Sequence, residues 1–381
     1  MIYLDYNATT PLAPEARGAM LPFLEGDFGN PSSIHAAGRR ARAAVDEARD
    51  RLAAVLGAKA HEIVFTGGGT EACNLGLMGL ARAHAVRGKH IVVSAVEHHA
   101  VLHAAEYLQH FEGYEVTILP VDRGGIVDPE FLARILRKDT TVVSVMHANN
   151  ETGALQPVGE LAAVCRAKGV FFHTDAVQAF GKIPLRVGAE GLSAFSLAAH
   201  KFYGPKGAGA LWLGAGIALA RTAHGGSHEN SRRPGTENVA AIVGMAAAAE
   251  AAAQRAEAES ARLAPLRERL WEGIRAACPH AVRNGGPECS LANTLNVSFP
   301  GADGESLIMG LDLEGVCVSS GSACMVGSIQ PSHVLVAMGV DARTALATVR
   351  FSMGQGTVEA DVDATVRAVA KVSQLQPALA A

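Results

Sequence analysis

The sequence has no excess of positive charge, no long apolar run and no closely paired cysteines, and each absence removes a class of function. Its 381 residues carry a formal net charge of −4 and a pI near 6.4, so no basic field exists to hold nucleic acid or an anionic membrane surface. No stretch reaches the ~18 uninterrupted apolar residues of a membrane-spanning helix. Met1 to Tyr6 lacks the basic start and apolar core of a secretory leader, so the cytoplasm is the expected compartment. Cys73, Cys165, Cys278, Cys289, Cys317 and Cys324 form no C-x-x-C pair, which argues against a zinc site or a dithiol redox motif. In a reducing compartment they are expected to be free thiols. With 49% hydrophobic and 18% charged residues, the chain can bury a sizeable core and is long enough for two domains. Small-molecule chemistry is the reading left.

From about residue 60 to 215, short β-branched runs alternate with Ala-, Leu- and Arg-rich stretches, the pattern of a doubly wound α/β sheet. Strands are predicted at Glu62 to Phe65, His90 to Val96, Glu115 to Leu119, Thr141 to Met146, Val170 to His173, Leu192 to Leu197 and Ala210 to Leu213. Several are continuously apolar, as strands covered on both faces must be. Residues 239 to 277 are rich in helix formers and interrupted only by Pro265, which predicts one or two long helices. Asn293 to Phe299 then reads as a strand, and a final strand and helix run from about 346 to 374, so the C-terminal third is expected to form a smaller α+β domain.

In an open parallel sheet, ligands bind beyond the carboxyl ends of the strands, and five of these strands end in polar clusters. The first runs into Thr66-Gly67-Gly68-Gly69-Thr70-Glu71; backbone N–H groups at a helix start and the Thr70 hydroxyl suit a phosphate, or the glycines simply make a tight turn. The second ends at Glu97-His98-His99, where an imidazole can stack on a flat cofactor or move protons. The fourth ends at His147-Ala148-Asn149-Asn150-Glu151, whose amides either bind a ligand or serve a loop turn. The fifth ends at Asp175, costly beside an apolar strand unless it meets a cation or caps a helix. The sixth ends at His200-Lys201, and a lysine at this edge can form an imine with a carbonyl. Lys206, inside the following Gly-Pro turn, reads as solvated. A phosphate cradle, a ring-stacking histidine, an acid for a ring nitrogen and an imine-forming lysine together match pyridoxal 5′-phosphate.

Cys324 closes Ser319-Ser320-Gly321-Ser322-Ala323-Cys324, a run too poor in apolar side chains to be a core element. It is either a displayed reactive thiol or a buried structural cysteine.

The chain resembles the cysteine desulfurases of the NifS/IscS type, within the fold-type I, class V aminotransferase-like enzymes. The resemblance spans nearly the whole chain. Tyr3 to Thr10, Phe28 to Ser33, Thr66 to Glu71, Glu97 to His99, Asn149 to Gly153, Asp175 to Gln178, His200-Lys201, Arg233 to Thr236, Ser319 to Cys324 and Val349 to Ser352 carry it. It implies a large domain over residues 16–255 with a mostly parallel seven-stranded sheet, and a small α+β domain of residues 1–15 and 256–381 carrying a catalytic loop at about 319–333.

The resemblance further implies that Lys201 holds the cofactor, that His98 stacks on its ring and assists proton transfer, that Asp175 pairs with the ring nitrogen and that Gln178 meets the ring hydroxyl. Gly69, Thr70 and His200 would hold the phosphate with Thr236 from the partner of a homodimer. Asn150 and Arg350 would bind the substrate carboxylate, with Asn30 lining the same pocket. Cys324 would take sulfur from L-cysteine as a persulfide, leave L-alanine, and pass the sulfur to an acceptor protein such as an iron-sulfur scaffold.

Two departures stand out. Ala198 replaces the Ser or Thr that usually lies three residues before the lysine as a phosphate ligand, and the chain stops soon after its last helix, without the tail that helps some relatives dock a scaffold. A class V aminotransferase or selenocysteine lyase needs no such loop thiol. A non-catalytic sulfur or metal carrier would leave Asp175, Lys201 and the glycine turn without a purpose.

Overall fold

Runs such as Ile91-Val92-Val93 and Thr141-Val142-Val143 have no polar face to turn to water, so they are stable only inside a sheet covered on both sides. The computed structural model, which describes residues 1–185, 187, 191–320 and 330–375, places them there. A parallel two-residue pair joins β1 (Ile2–Tyr3) to the C-terminal part of the chain. The large sheet comprises β2 (Ile63–Thr66), β3 (His90–Ser94), β4 (Glu115–Leu119), β5 (Thr140–Ser144), β6 (Phe171–Asp175), β7 (Ala194–Ala198) and β8 (Gly209–Leu213), in the order β2-β8-β7-β6-β5-β3-β4. All neighbours pair in parallel except β8, which is antiparallel to both β2 and β7. The sheet is therefore mostly parallel, as expected. Because β8 reverses twice, β2 runs in the same direction as β7, and the five polar clusters all fall on one edge.

Side chains alternate between two cores, as the period-2 geometry of strands requires. Phe65, Val92, Val143 and Phe195 pack on one face with the helices Ala36–Leu56 and Val158–Ala167. Val64, Ile91, Val93 and Leu211 pack on the other with the helices Gly69–Ala83 and His99–Glu112.

One helix, Val239–Ala277, runs unbroken through Pro265. Its start packs on the large sheet through Ile242 and Met245, and its end contributes Leu263, Leu270 and Ile274 to a separate core with Leu4, Leu295 and Phe351. That core covers an antiparallel sheet of β9 (Val282–Asn284), β10 (Thr294–Ser298) and β12 (Thr348–Ser352), in the order β12-β10-β9. β1 pairs with β11 (Val316–Cys317), and Asp5 bridges to Ser352. The N-terminal stretch thus threads from the C-terminal third of the chain to the ligand edge of the large sheet.

Candidate active site

At that edge lies a cavity of about 400 Å³, within the range of small-ligand sites. Gly69, Thr70, His98, Asn150, Asp175, Gln178, His200, Lys201 and Arg350 all line it. Nine of the residues singled out from sequence therefore share one space.

The helix Gly69–Ala83 starts at the wall of this cavity with no side-chain cap, leaving N–H groups of its first turn for an anionic ligand. The Gly67 N–H is taken instead by Glu71, which is itself fixed by Arg233. Gly69 sits tightly: a Cβ there would lie 3.0 Å from both Ala198 Cβ and Val177 Cγ2, so those side chains would have to give way by a few tenths of an ångström. Ala198, at the end of β7, offers this cradle a methyl where a hydroxyl was expected. Burial, then the nearby Lys201 and Lys206, lower the pKa of His200 to about 4, so its ring meets a ligand in the neutral form.

Asp175 ends β6 and is buried, with Oδ1 accepting the Val177 N–H at 2.9 Å. Among the described residues no salt bridge to it occurs, and its charge acts on the neighbouring His98. Cys73, which also lines the cavity, is within hydrogen-bonding reach of Asp175 and Ser196, and burial pushes its pKa well up. His98 Nδ1 accepts the Ala100 N–H at 3.1 Å and so caps the His99–Glu112 helix. With Nδ1 accepting, the neutral ring carries its hydrogen on Nε2. Burial holds the His98 pKa below its usual value, opposed by Asp175 and reinforced by Lys201, His99 and His103.

Lys201 follows β7 on a single 3₁₀ turn, and its Nζ donates to the carbonyls of Asn7 (2.6 Å) and Ala8 (2.8 Å). The Asn7 carbonyl also accepts from Gln178 Nε2 at 2.9 Å. Asn7 in turn donates from Nδ2 to Thr294 Oγ1 at 2.9 Å, and its own N–H bonds Ser352 Oγ at 2.9 Å.

Arg350, in β12, is only 3% exposed. One nitrogen reaches Asp5 Oδ1 at 2.8 Å and another the Asn150 carbonyl at 3.1 Å, while Nε is buried without a partner among the described residues. A guanidinium held this way on the cavity wall is ready for a carboxylate. The two asparagines beside it divide the work. Asn149 Oδ1 accepts from the N–H groups of Glu151 and Thr152, both at 2.9 Å, and so builds the turn, whereas Asn150 lines the cavity.

Other expected residues lie elsewhere. Asn30 is exposed, accepts the Ser32 N–H at 2.9 Å and does not line the cavity of its own chain. Thr236 is also exposed and outside it. Lys206 lines a larger adjoining hollow with Gly67, His103 and Tyr107. Cys324 lies outside the described residues, although Ser319 bridges to Arg350 on one side of its segment. On the other side, Ser332 donates to the buried carboxylate of Glu151 at 2.5 Å. Sequence reasoning missed Asn7, Cys73 and Lys182. Asn7 and Cys73 line the cavity, and Lys182 bonds two of its walls. Only the N-terminal motif hinted at the first.

The model of the aminotransferase class-V family matches residues 2–365. The chain is 47% identical over 380 residues to a protein named cysteine desulfurase IscS from Dictyoglomus turgidum, covering 99% of this chain and 96% of that one. A solved NifS-like protein superposes with a TM-score of 0.92 at 36% identity, over 98% of this chain and 99% of that one. A solved structure described as SspA in complex with cysteine matches with a TM-score of 0.83 at 33% identity, over 94% of this chain and 100% of that one.

Proposed function

The chain belongs to the aminotransferase class-V family, and from that premise we propose that it is a cysteine desulfurase that uses pyridoxal 5′-phosphate. One observation carries this reading. A lysine, a buried aspartate, an uncapped helix start and a half-engaged arginine surround a single cavity of about 400 Å³.

The residues present fit the cofactor. The first turn of the Gly69–Ala83 helix, with Thr70 and His200, would take the phosphate; Asp175 would face the ring nitrogen, Gln178 the ring oxygen, and Lys201 the aldehyde carbon. The bound cofactor supplies an electron sink for charge developing at the substrate Cα. Arg350 and Asn150 hold the carboxylate of L-cysteine, with Asp5 fixing the guanidinium plane. Lys201 Nζ takes the Cα proton, and His98, hydrogen on Nε2, offers a donor beside it. The thiolate of Cys324 forms a bond to the substrate sulfur as the Cβ–S bond breaks. The sulfur stays on Cys324 as a persulfide, and protonation of the three-carbon remainder gives L-alanine. The persulfide is passed to an acceptor protein, such as an iron-sulfur scaffold, in the cytoplasm.

Residues 16–255 then act as the cofactor-binding domain, and residues 1–15 with 256–381 as the smaller one that brings the segment 319–333 to the site. The shared core of Leu4 with Leu295 and Phe351 supports that division. A homodimer would bring the partner's Thr236 to the phosphate. Asn30 remains a proposed member of the substrate pocket, in a region its own chain leaves exposed.

The test is to add L-cysteine and a reductant to the cofactor-loaded protein and to assay sulfide and alanine together. Equal yields are expected, and Cys324→Ser should keep its colour and bind cysteine yet form no persulfide. Sulfide production by that variant at the wild-type rate would sink the assignment, and sulfide with pyruvate and ammonia would mean a lyase.

A further inference from the structure

We propose that Lys182 is a positioning residue that turns the Gln178 amide so that an N–H, not its oxygen, faces the ring oxygen of the cofactor. The inference rests on the reading of Gln178 given above. Lys182 follows Gln178 by four residues through a turn in which the Lys182 N–H donates to the Ala179 carbonyl at 3.1 Å, and the two side chains meet directly. Lys182 Nζ donates to Gln178 Oε1 at 2.5 Å and to Asn7 Oδ1 at 2.9 Å.

The Asn7 main-chain carbonyl can only accept, so it takes Nε2 and turns Oε1 toward Lys182, whose Nζ supplies the donor that oxygen needs; flipped, the amide would set oxygen against oxygen at Asn7. With Oε1 committed, Gln178 Nε2 has two hydrogens to place. One goes to the Asn7 carbonyl at 2.9 Å, and the other remains for the cavity that Gln178 lines. Lys182 does not line that cavity itself. It borders a much smaller one, of about 30 Å³, behind Lys201 and Tyr203, with room for about one water.

Burial, and then the charges of Lys201 and Arg350, drive the Lys182 pKa well below its ordinary value. An apolar side chain would fill the space without that cost. What the amine adds is a donor aimed at two acceptors, one on Gln178 and one on Asn7, whose carbonyl holds Lys201.

The experiment is a pH titration of the visible absorption band of the cofactor-loaded full-length protein, in wild type, Lys182→Met, Gln178→Ala and the double variant. Losing a donor to a negatively charged ring oxygen makes the neighbouring base hold its proton to higher pH. The midpoint is expected to rise by about one pH unit in either single variant and no further in the double variant. Lys182→Gln, which keeps a neutral donor, should return the midpoint to the wild-type value. Thermal melting of the apoproteins checks the fold, and Lys182→Ala is read in the same way where Met does not fold.

An unchanged midpoint in Gln178→Ala would remove the reading of Gln178 itself. A shift in Gln178→Ala with none in Lys182→Met would overturn only the role of Lys182. Additive shifts, or a Lys182→Gln midpoint displaced like that of Lys182→Met, would show a bare charge effect and overturn positioning.

Discussion

Lys201 Nζ lies 2.6 Å from the main-chain carbonyl of Asn7, an atom delivered from 194 residues earlier in the chain. The N-terminal stretch therefore forms a wall of the site, and its main-chain carbonyls at Asn7 and Ala8 accept from the lysine.

Lys201→Ala removes the group proposed to bond the cofactor covalently. The purified variant, mixed with pyridoxal 5′-phosphate, is expected to lack the visible band of the wild type. An unchanged spectrum would refute the role given to Lys201.

Arg350 reaches Asp5 and the Asn150 carbonyl but has no partner for Nε. Arg350→Lys keeps the charge and loses the planar fork. KM for L-cysteine should rise by about 10- to 100-fold, or ~1.4–2.8 kcal/mol, with a smaller change in kcat. Steady-state kinetics decide, and a KM equal to that of the wild type would exclude carboxylate binding by this residue.

Ala198 faces Gly69 across the proposed phosphate cradle. Ala198→Ser supplies a hydroxyl there, and one added hydrogen bond of ~1 kcal/mol should tighten cofactor binding about fivefold. Gly69→Ala should weaken it, because the new methyl meets Ala198 and Val177 at 3.0 Å. Titration of the apoproteins with cofactor reads both.

Glu97 and Glu151 are buried, and burial raises their pKa values to about 8 and about 7. Below about pH 4.5 each is protonated whether the chain is folded or not. Between that point and the raised value, the unfolded chain releases a proton that the folded chain keeps, so stability falls as pH rises and levels off near pH 8. Glu97→Gln removes the larger of these contributions. Its apoprotein melting temperature should vary less from pH 5 to 8 and exceed that of the wild type at pH 8 by about 4 °C. Parallel melting curves for the two proteins would contradict the shift.

Much of the fold was legible because its signals are local. Apolar runs and helix formers located the strands of the large sheet to within two residues, and polar residues at the strand ends marked the ligand edge. Lys201 was preferred over Lys206 on the same ground, and only Lys201 lines the cavity with Asp175 and Arg350. The reversal of β8 and the passage of one helix through Pro265 left no comparable mark, since each depends on what packs against it.

What the sequence by itself determined is therefore the order of the elements and the set of chemical groups at one edge of the sheet. The tertiary structure decided how those groups are used. Asn149 and Asn150 are adjacent and identical in type, yet one builds a turn and the other faces the cavity. Lys182 carried no signal in the chain and Asn7 only its place in the N-terminal motif, yet they meet over Gln178 and Lys201. The Asn7 contacts set donor opposite acceptor across more than a hundred residues of chain, and folding alone sets that pairing.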